Sequence, residues 1–165
     1  MSNLRKMIAT IKNYDVVGRG DLDGAYTRVR LEDEQGKTFY IKQLAVPEYL
    51  RRHGALVTDS PRTWYVKQLT KKLTVVVACE SSKGKVEYDL DDLSRMARAA
   101  VIKGILATVA AVPAGIIIAT ATFGIGLVFI PMALYYAYVN IFKLGAKLSR
   151  KRLLSDFEQH GITVR

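Results

Sequence analysis

Residues 104–142 contain no Asp, Glu, Lys or Arg, a charge-free run of 39 residues. Basic residues bracket it: Arg95, Arg98 and Lys103 come before, and Lys143, Lys147, Arg150, Lys151 and Arg152 come after. One bilayer crossing takes about 20 apolar residues in a helix, so this run suits two crossings. The spacing predicts a transmembrane helical hairpin with helices over 99–121 and 125–146, turning near Gly124 and Gly126. A soluble protein of 165 residues has too little other material to cover such a pair.

The hairpin divides the chain into three parts: a cytoplasmic β-rich domain over 1–95, the hairpin over 96–146, and a basic cytoplasmic tail over 147–165. The expected class is therefore an α+β membrane protein. It has a small antiparallel β domain of the OB or SH3-like barrel kind, then the hairpin and a basic C-terminal helix. Of the formal charge of +10, residues 1–95 carry +4 and residues 96–165 carry +6. Flanking a membrane explains that skew more simply than binding nucleic acid does. The positive-inside rule places both ends of the hairpin, and so both termini, in the cytoplasm. The expected location is the inner membrane of a bacterium. The N-terminal segment has no apolar stretch of signal-peptide length.

Within the hairpin, Ala107, Ala111, Gly115 and Ala119 recur every fourth residue. Small residues at that spacing let helix backbones approach closely, either within the hairpin or between copies of the chain in a homo-oligomer. Pro113 and Pro131 each fall in mid-helix, where each frees a carbonyl. Tyr135, Tyr136 and Tyr138 stand where an interfacial aromatic belt would lie, or else they pack on the neighbouring helix. Lys143, Lys147, Arg150, Lys151 and Arg152 are the expected contacts to anionic lipid headgroups, at about 1 kcal/mol per basic residue near the surface. The run has no ionisable side chain other than tyrosine, which argues against a transporter.

The N-terminal part reads as strands over 7–17, 25–32, 37–45, 62–69, 73–80 and 85–90, with a short helix over 47–53. Pro47 suits that helix's first turn and Gly54 its stop. Asp89 or Asp91 caps a further helix that runs into the first span. Strand alternation puts Val29 and Leu31 on one face. It puts Tyr26, Arg28, Arg30, Tyr40, Lys42, Tyr65 and Lys67 out of phase with the apolar set. Basic residues interleaved with aromatics make that face a candidate binding surface for nucleic acid or lipid headgroups. Glu32, Glu87 and Asp89 dilute its charge, so the same residues also read as an ordinary solvated face.

No catalytic or cofactor signature is present, and the chain reads as a non-enzyme without cofactor. Gly18 and Gly20 lack the context of a dinucleotide loop or a P-loop. Cys79 is the single cysteine, so no intrachain disulfide forms, and one Cys with His53 and His160 gives no metal-ligand spacing. Asp15, Asp21 and Asp23 do not match an EF-hand loop and read as a polar turn. Neither Ser60 nor Cys79 has a histidine partner in a recognisable motif. The expected function is a membrane-anchored cytoplasmic binding or scaffold module with a protein partner. The alternatives are an oligomerising membrane-active protein of the pore, toxin or exclusion type, and a membrane tether for nucleic acid, which is the less favoured partner.

Overall fold

The structure is a computed structural model that describes residues 4–19, 23–81, 84–121 and 128–164. The described elements run β1 (Leu4–Arg19), β2 (Asp23–Glu32), β3 (Thr38–Pro47), α1 (Glu48–Arg52), β4 (Pro61–Gln68), β5 (Leu73–Glu80) and β6 (Val86–Glu87). They continue as α2 (Leu90–Ala121), α3 (Phe129–Tyr138), a π-helical segment (Val139–Gly145) and α4 (Arg150–Gln159). An antiparallel β-sheet domain is thus followed by helices, one of them long and apolar. The chain forms two compact units: Met1–Arg95 with Arg150–Arg165, and Met96–Ser149.

In the first unit the strand order is β3-β2-β1-β4-β5-β6. Neighbours pair antiparallel, and β3 also pairs parallel to β5 through Gln43–Leu73, Leu44–Thr74 and Ala45–Val75. The pairings β1–β2–β3–β5–β4–β1 therefore return on themselves. The long β1 makes this work, since residues 4–10 pair with β4 and residues 10–19 pair with β2. Its register against β2 shifts three times, and such bulges bend and twist a strand. Gly36, at φ 76°, closes the turn between β2 and β3, where Asp33 Oδ1 accepts from the N–H groups of Gln35 and Lys37.

The core gathers Ile11, Val29, Leu31, Leu44, Val46, Leu50, Trp64, Val66 and Val76 from five strands and α1. Leu50 hangs from α1 into this core, and Gly54, at φ 79°, stops the helix as expected. Trp64 is fully buried, and its Nε1–H donates to the Ala55 carbonyl at 3.1 Å. That bond satisfies the one polar atom of the ring at no cost to its packing. The last strand is shorter than the expected 85–90, because Asp89 turns the chain into α2. Its Oδ1 accepts from the N–H groups of Asp91 and Asp92 at 2.8 and 3.0 Å, which fixes Asp89 as the helix cap.

The tail does not stand apart as a basic segment; it belongs to the β domain's unit. A separate helix carries the tail. The chain breaks at Leu148 and Ser149, and α4 begins at Arg150. Its apolar side buries Leu153 and Phe157, with the Phe157 ring 5.4 Å from Tyr88. His160 meets Tyr65 edge to face at 6.4 Å, and Asp156 forms a buried ion pair with Lys67 on β4. Gly161, at φ 70°, ends the helix.

In the second unit, Ala97, Ala100, Gly104, Ala111 and Gly115 of α2 are buried along one side of the helix. A Cβ at Gly104 would sit 2.8 Å from Ile141 and 3.2 Å from the Ala137 carbonyl, and one at Gly145 would sit 2.7 Å from Val101. Early α2 thus lies close to residues 137–145. Asn140 is buried there, and its Nδ2 donates to the Tyr136 carbonyl at 2.8 Å. Pro113 lies inside α2 as expected, whereas Pro131 stands in the first turn of α3, where a missing N–H costs no helical bond. The expected turn at Gly124 and Gly126 lies outside the described residues. The helix segment Leu90–Thr120 is long and apolar enough to cross a membrane, its most apolar 18-residue window having a mean hydropathy of 2.2.

Candidate anion-binding cleft

The seven side chains predicted to share one face do not do so. Arg30 and Tyr40 are cross-strand partners, and both are exposed, as are Arg28 and Lys42. Tyr26, Tyr65 and Lys67 are buried. Two physical causes separate them. Arg28 adopts φ 52° at a register shift between β1 and β2, so the buried positions on β2 step from Tyr26 to Val29 and skip the exposed Arg28. Simple alternation therefore fails across that bulge. On β4, residues 64–67 are buried on both sides. Trp64 and Val66 enter the core, while Lys67 meets Asp156 and Tyr65 meets His160 on the tail helix.

What remains of the predicted face joins a different set. Tyr40 and Lys42 of β3 line a cleft of about 440 Å³ with Arg5, Lys6, Lys71 and Lys72. Met7, Phe39, Ile41 and Val66 supply its apolar wall. The lining contains five cationic side chains and no carboxylate. Three elements assemble it. Pairing of Arg5 with Val66 and of Lys6 with Tyr65 sets the start of β1 beside the end of β4. The turn from β4 to β5 is tied by the N–H groups of Leu69 and Thr70 donating to the Leu73 carbonyl, and by Thr70 Oγ1 accepting from Leu73 N–H at 3.1 Å. The Gln43 N–H then donates to the Lys72 carbonyl at 3.1 Å, which anchors that turn to β3 next to Lys42.

Among the described residues, none of these five cations has a carboxylate within ion-pair distance. Lys6 instead lies 5.9 Å from the centre of the Tyr65 ring. Elsewhere on the domain several basic groups are paired: Lys12 with Glu32 and Asp59, Arg28 with Asp15, and Arg51 and Arg52 with Glu48. A concave, low-dielectric wall lined by one sign of charge focuses field and concentrates counter-ions of the other sign. Arg5, Lys6, Lys71 and Lys72 were not among the predicted residues. Their sequence signal is two basic dipeptides, one at the start of a strand and one in a turn, and only the β3–β5 pairing shows that they meet.

The other predicted sites divide in the same way. Ala111 and Gly115 are buried, and Ala107 and Ala119 are partly buried. Lys143, Arg150, Lys151 and Arg152 are exposed and Lys147 is partly so; Arg150 lies 3.8 Å from Asp91, and Lys143 lies over the Tyr138 ring. No group of His, Cys, Asp and Glu among the described residues is arranged to hold a metal ion. Asp21 of the expected polar turn lies outside the described residues.

His53 stacks on Tyr49 at 4.0 Å, and Tyr49 Oη donates to Glu87 at 3.0 Å. That bond holds the Glu87 carboxyl below its ordinary range, while burial and Glu87 together push the Tyr49 phenol up. Burial raises the Cys79 thiol, which disfavours the reactive thiolate. These groups stabilise the fold and present no activated nucleophile. Comparison with protein-family models, with curated proteins and with solved structures finds no match to this chain.

Proposed function

We propose that the protein is a membrane-anchored binding module. The β domain, closed by the β3–β5 pairing into a small barrel of the OB kind and backed by α4, is the recognition unit. The apolar helices form a transmembrane hairpin that holds it at the bilayer. Both termini lie in the cytoplasm, and the membrane is the inner membrane of a bacterium.

The observation that carries this reading is the exposure of α2. Only 17% of its most apolar window is buried within the chain. Ile102, Ile105, Leu106, Val109, Val112, Ile116 and Ile117 are all about half exposed or more. Leaving seven such side chains in water forfeits on the order of 10 kcal/mol of transfer free energy. A bilayer removes that cost, and exposed apolar surface of this extent marks an interaction site. Asn140 fits the same solvent, since its donor is satisfied by the Tyr136 carbonyl one turn back on its own helical run. Tyr135, Tyr136 and Tyr138 are exposed beside Lys143, as an interfacial belt requires. The membrane-active oligomer draws less support, because Ala111 and Gly115 of its small-residue face are already buried in the single chain.

The test is alkaline carbonate extraction of membranes from cells making the full chain. The protein is expected in the pellet. Release into the supernatant by carbonate would refute the anchor.

A further inference from the structure

We infer that the cleft between the start of β1, the middle of β3 and the β4–β5 turn binds nucleotide phosphates, either in a single strand of nucleic acid or as a free nucleotide. The inference rests on the reading of the β domain as the recognition unit, and it is independent of the membrane anchor.

Charge gives the first half of the ligand. Five cations converge without one carboxylate among the lining residues, on a domain where several other basic groups are paired. Clustering like charges costs free energy that only an anion recovers, and five of them call for more than one negative charge. The bond from Gln43 N–H to the Lys72 carbonyl holds Lys42 and Lys72 on the same rim, and Lys71 lies beside them on the exposed turn. Mobile surface lysines far apart would not share a ligand; these are fixed at their backbones by sheet and turn.

The remaining wall gives the second half. Tyr40 is two-thirds exposed on the cleft's edge, between Phe39 and Ile41 that root the strand in the core. An exposed ring next to phosphate-binding cations is a platform on which a base stacks, and stacking tolerates any base. The volume, about 440 Å³, lies in the range of roughly 300–1000 Å³ that encloses a small organic ligand. A bilayer presents its phosphates in a plane and offers no flat ring to Tyr40. A concave cleft with an aromatic edge therefore fits a nucleotide better than a lipid surface.

The experiment uses the full chain in detergent micelles. Fluorescence anisotropy follows a labelled oligothymidylate and, separately, a fluorescent ATP analogue, each titrated at about 50 mM and about 200 mM salt. Short-chain phosphatidylglycerol serves as the lipid competitor. Trp64 emission confirms that each variant is folded. Binding is expected, and it should weaken at the higher salt. The double variant Lys71→Glu with Lys72→Glu should lose at least tenfold in affinity and show a shallower salt dependence. Tyr40→Ala should lose about tenfold with the salt dependence unchanged. Reversing charge outside the cleft, in Lys151→Glu with Arg152→Glu, should change affinity less than twofold.

Tighter binding of the oligonucleotide assigns the cleft to a strand, and tighter binding of the ATP analogue assigns it to a free nucleotide; both support the inference. Absence of both, binding that the Lys71 and Lys72 variants leave intact, or displacement by phosphatidylglycerol at equal concentration would overturn it. None of these results bears on carbonate extraction, so the anchor and the ligand stand or fall separately.

Discussion

Lys67 and Asp156 form a buried charge pair between β4 and the tail helix. Removing one partner leaves the other charge buried and unpaired, which typically costs about 3–5 kcal/mol. Asp156→Ala should therefore lower the unfolding midpoint of the first unit markedly. Lys67→Met combined with Asp156→Leu should recover most of the loss, because an apolar pair of similar volume is often neutral. Trp64, the single tryptophan and fully buried, reports both by its fluorescence in urea. Equal losses in the single and double variants would show that packing, and not the unpaired charge, sets the effect.

Acid should destabilise the same unit. Glu87, bonded by Tyr49, and Glu48, bonded by Arg52, have carboxyls held below the ordinary value of 4.5. Their stabilisation is complete above the unfolded-state value and is lost as the pH falls through the lower folded-state values. Glu87→Gln should therefore narrow the difference between urea midpoints at about pH 7 and about pH 3.5. An unchanged difference would remove Glu87 from that account.

Arg28 shows where strand alternation misled. Its φ of 52° belongs to the left-handed region, where a side chain costs roughly 1–2 kcal/mol. The exposed Asp15 ion pair returns little of that. Arg28→Gly should stabilise the domain by about 1 kcal/mol in urea; a loss of stability would mean that the Asp15 pair outweighs the strain.

The strands themselves were legible. Val29 with Leu31, the turn at Gly36, the helix after Pro47 and the cap at Asp89 all follow from local pattern and turn chemistry. What was not legible depends on parts far apart in the chain. Nothing in the residues of β4 announces that α4 covers its outer side, so Tyr65 and Lys67 looked solvated. The cleft has the same origin: Arg5 and Lys6 reach Lys71 and Lys72 only through strand pairing. Among the helices, Gly104 and Gly145 are points of close approach. Gly104→Leu should force α2 from its neighbour at about 1–3 kcal/mol, seen as protease sensitivity in micelles. Unchanged protease resistance would show that the neighbouring helix yields without cost.

Taken as one chain, the protein joins a small domain that has its own core to helices that leave many large apolar side chains exposed. The tail is part of the domain: it contributes Phe157, Leu153 and Asp156 to the unit that begins at the N-terminus. Cutting the chain at Arg95 would remove that cover and bare Tyr65 and Lys67, so the β-rich segment alone should be less stable than the full chain. The proposed hairpin anchor would return residues 150–165 to the side where the β domain folds. The most direct test labels single cysteines, placed at Glu34 and at Glu158 in a Cys79→Ser chain, with a membrane-impermeant maleimide. The account predicts that both react in inside-out vesicles and neither in right-side-out spheroplasts. Reaction of either position from outside the cell would contradict it.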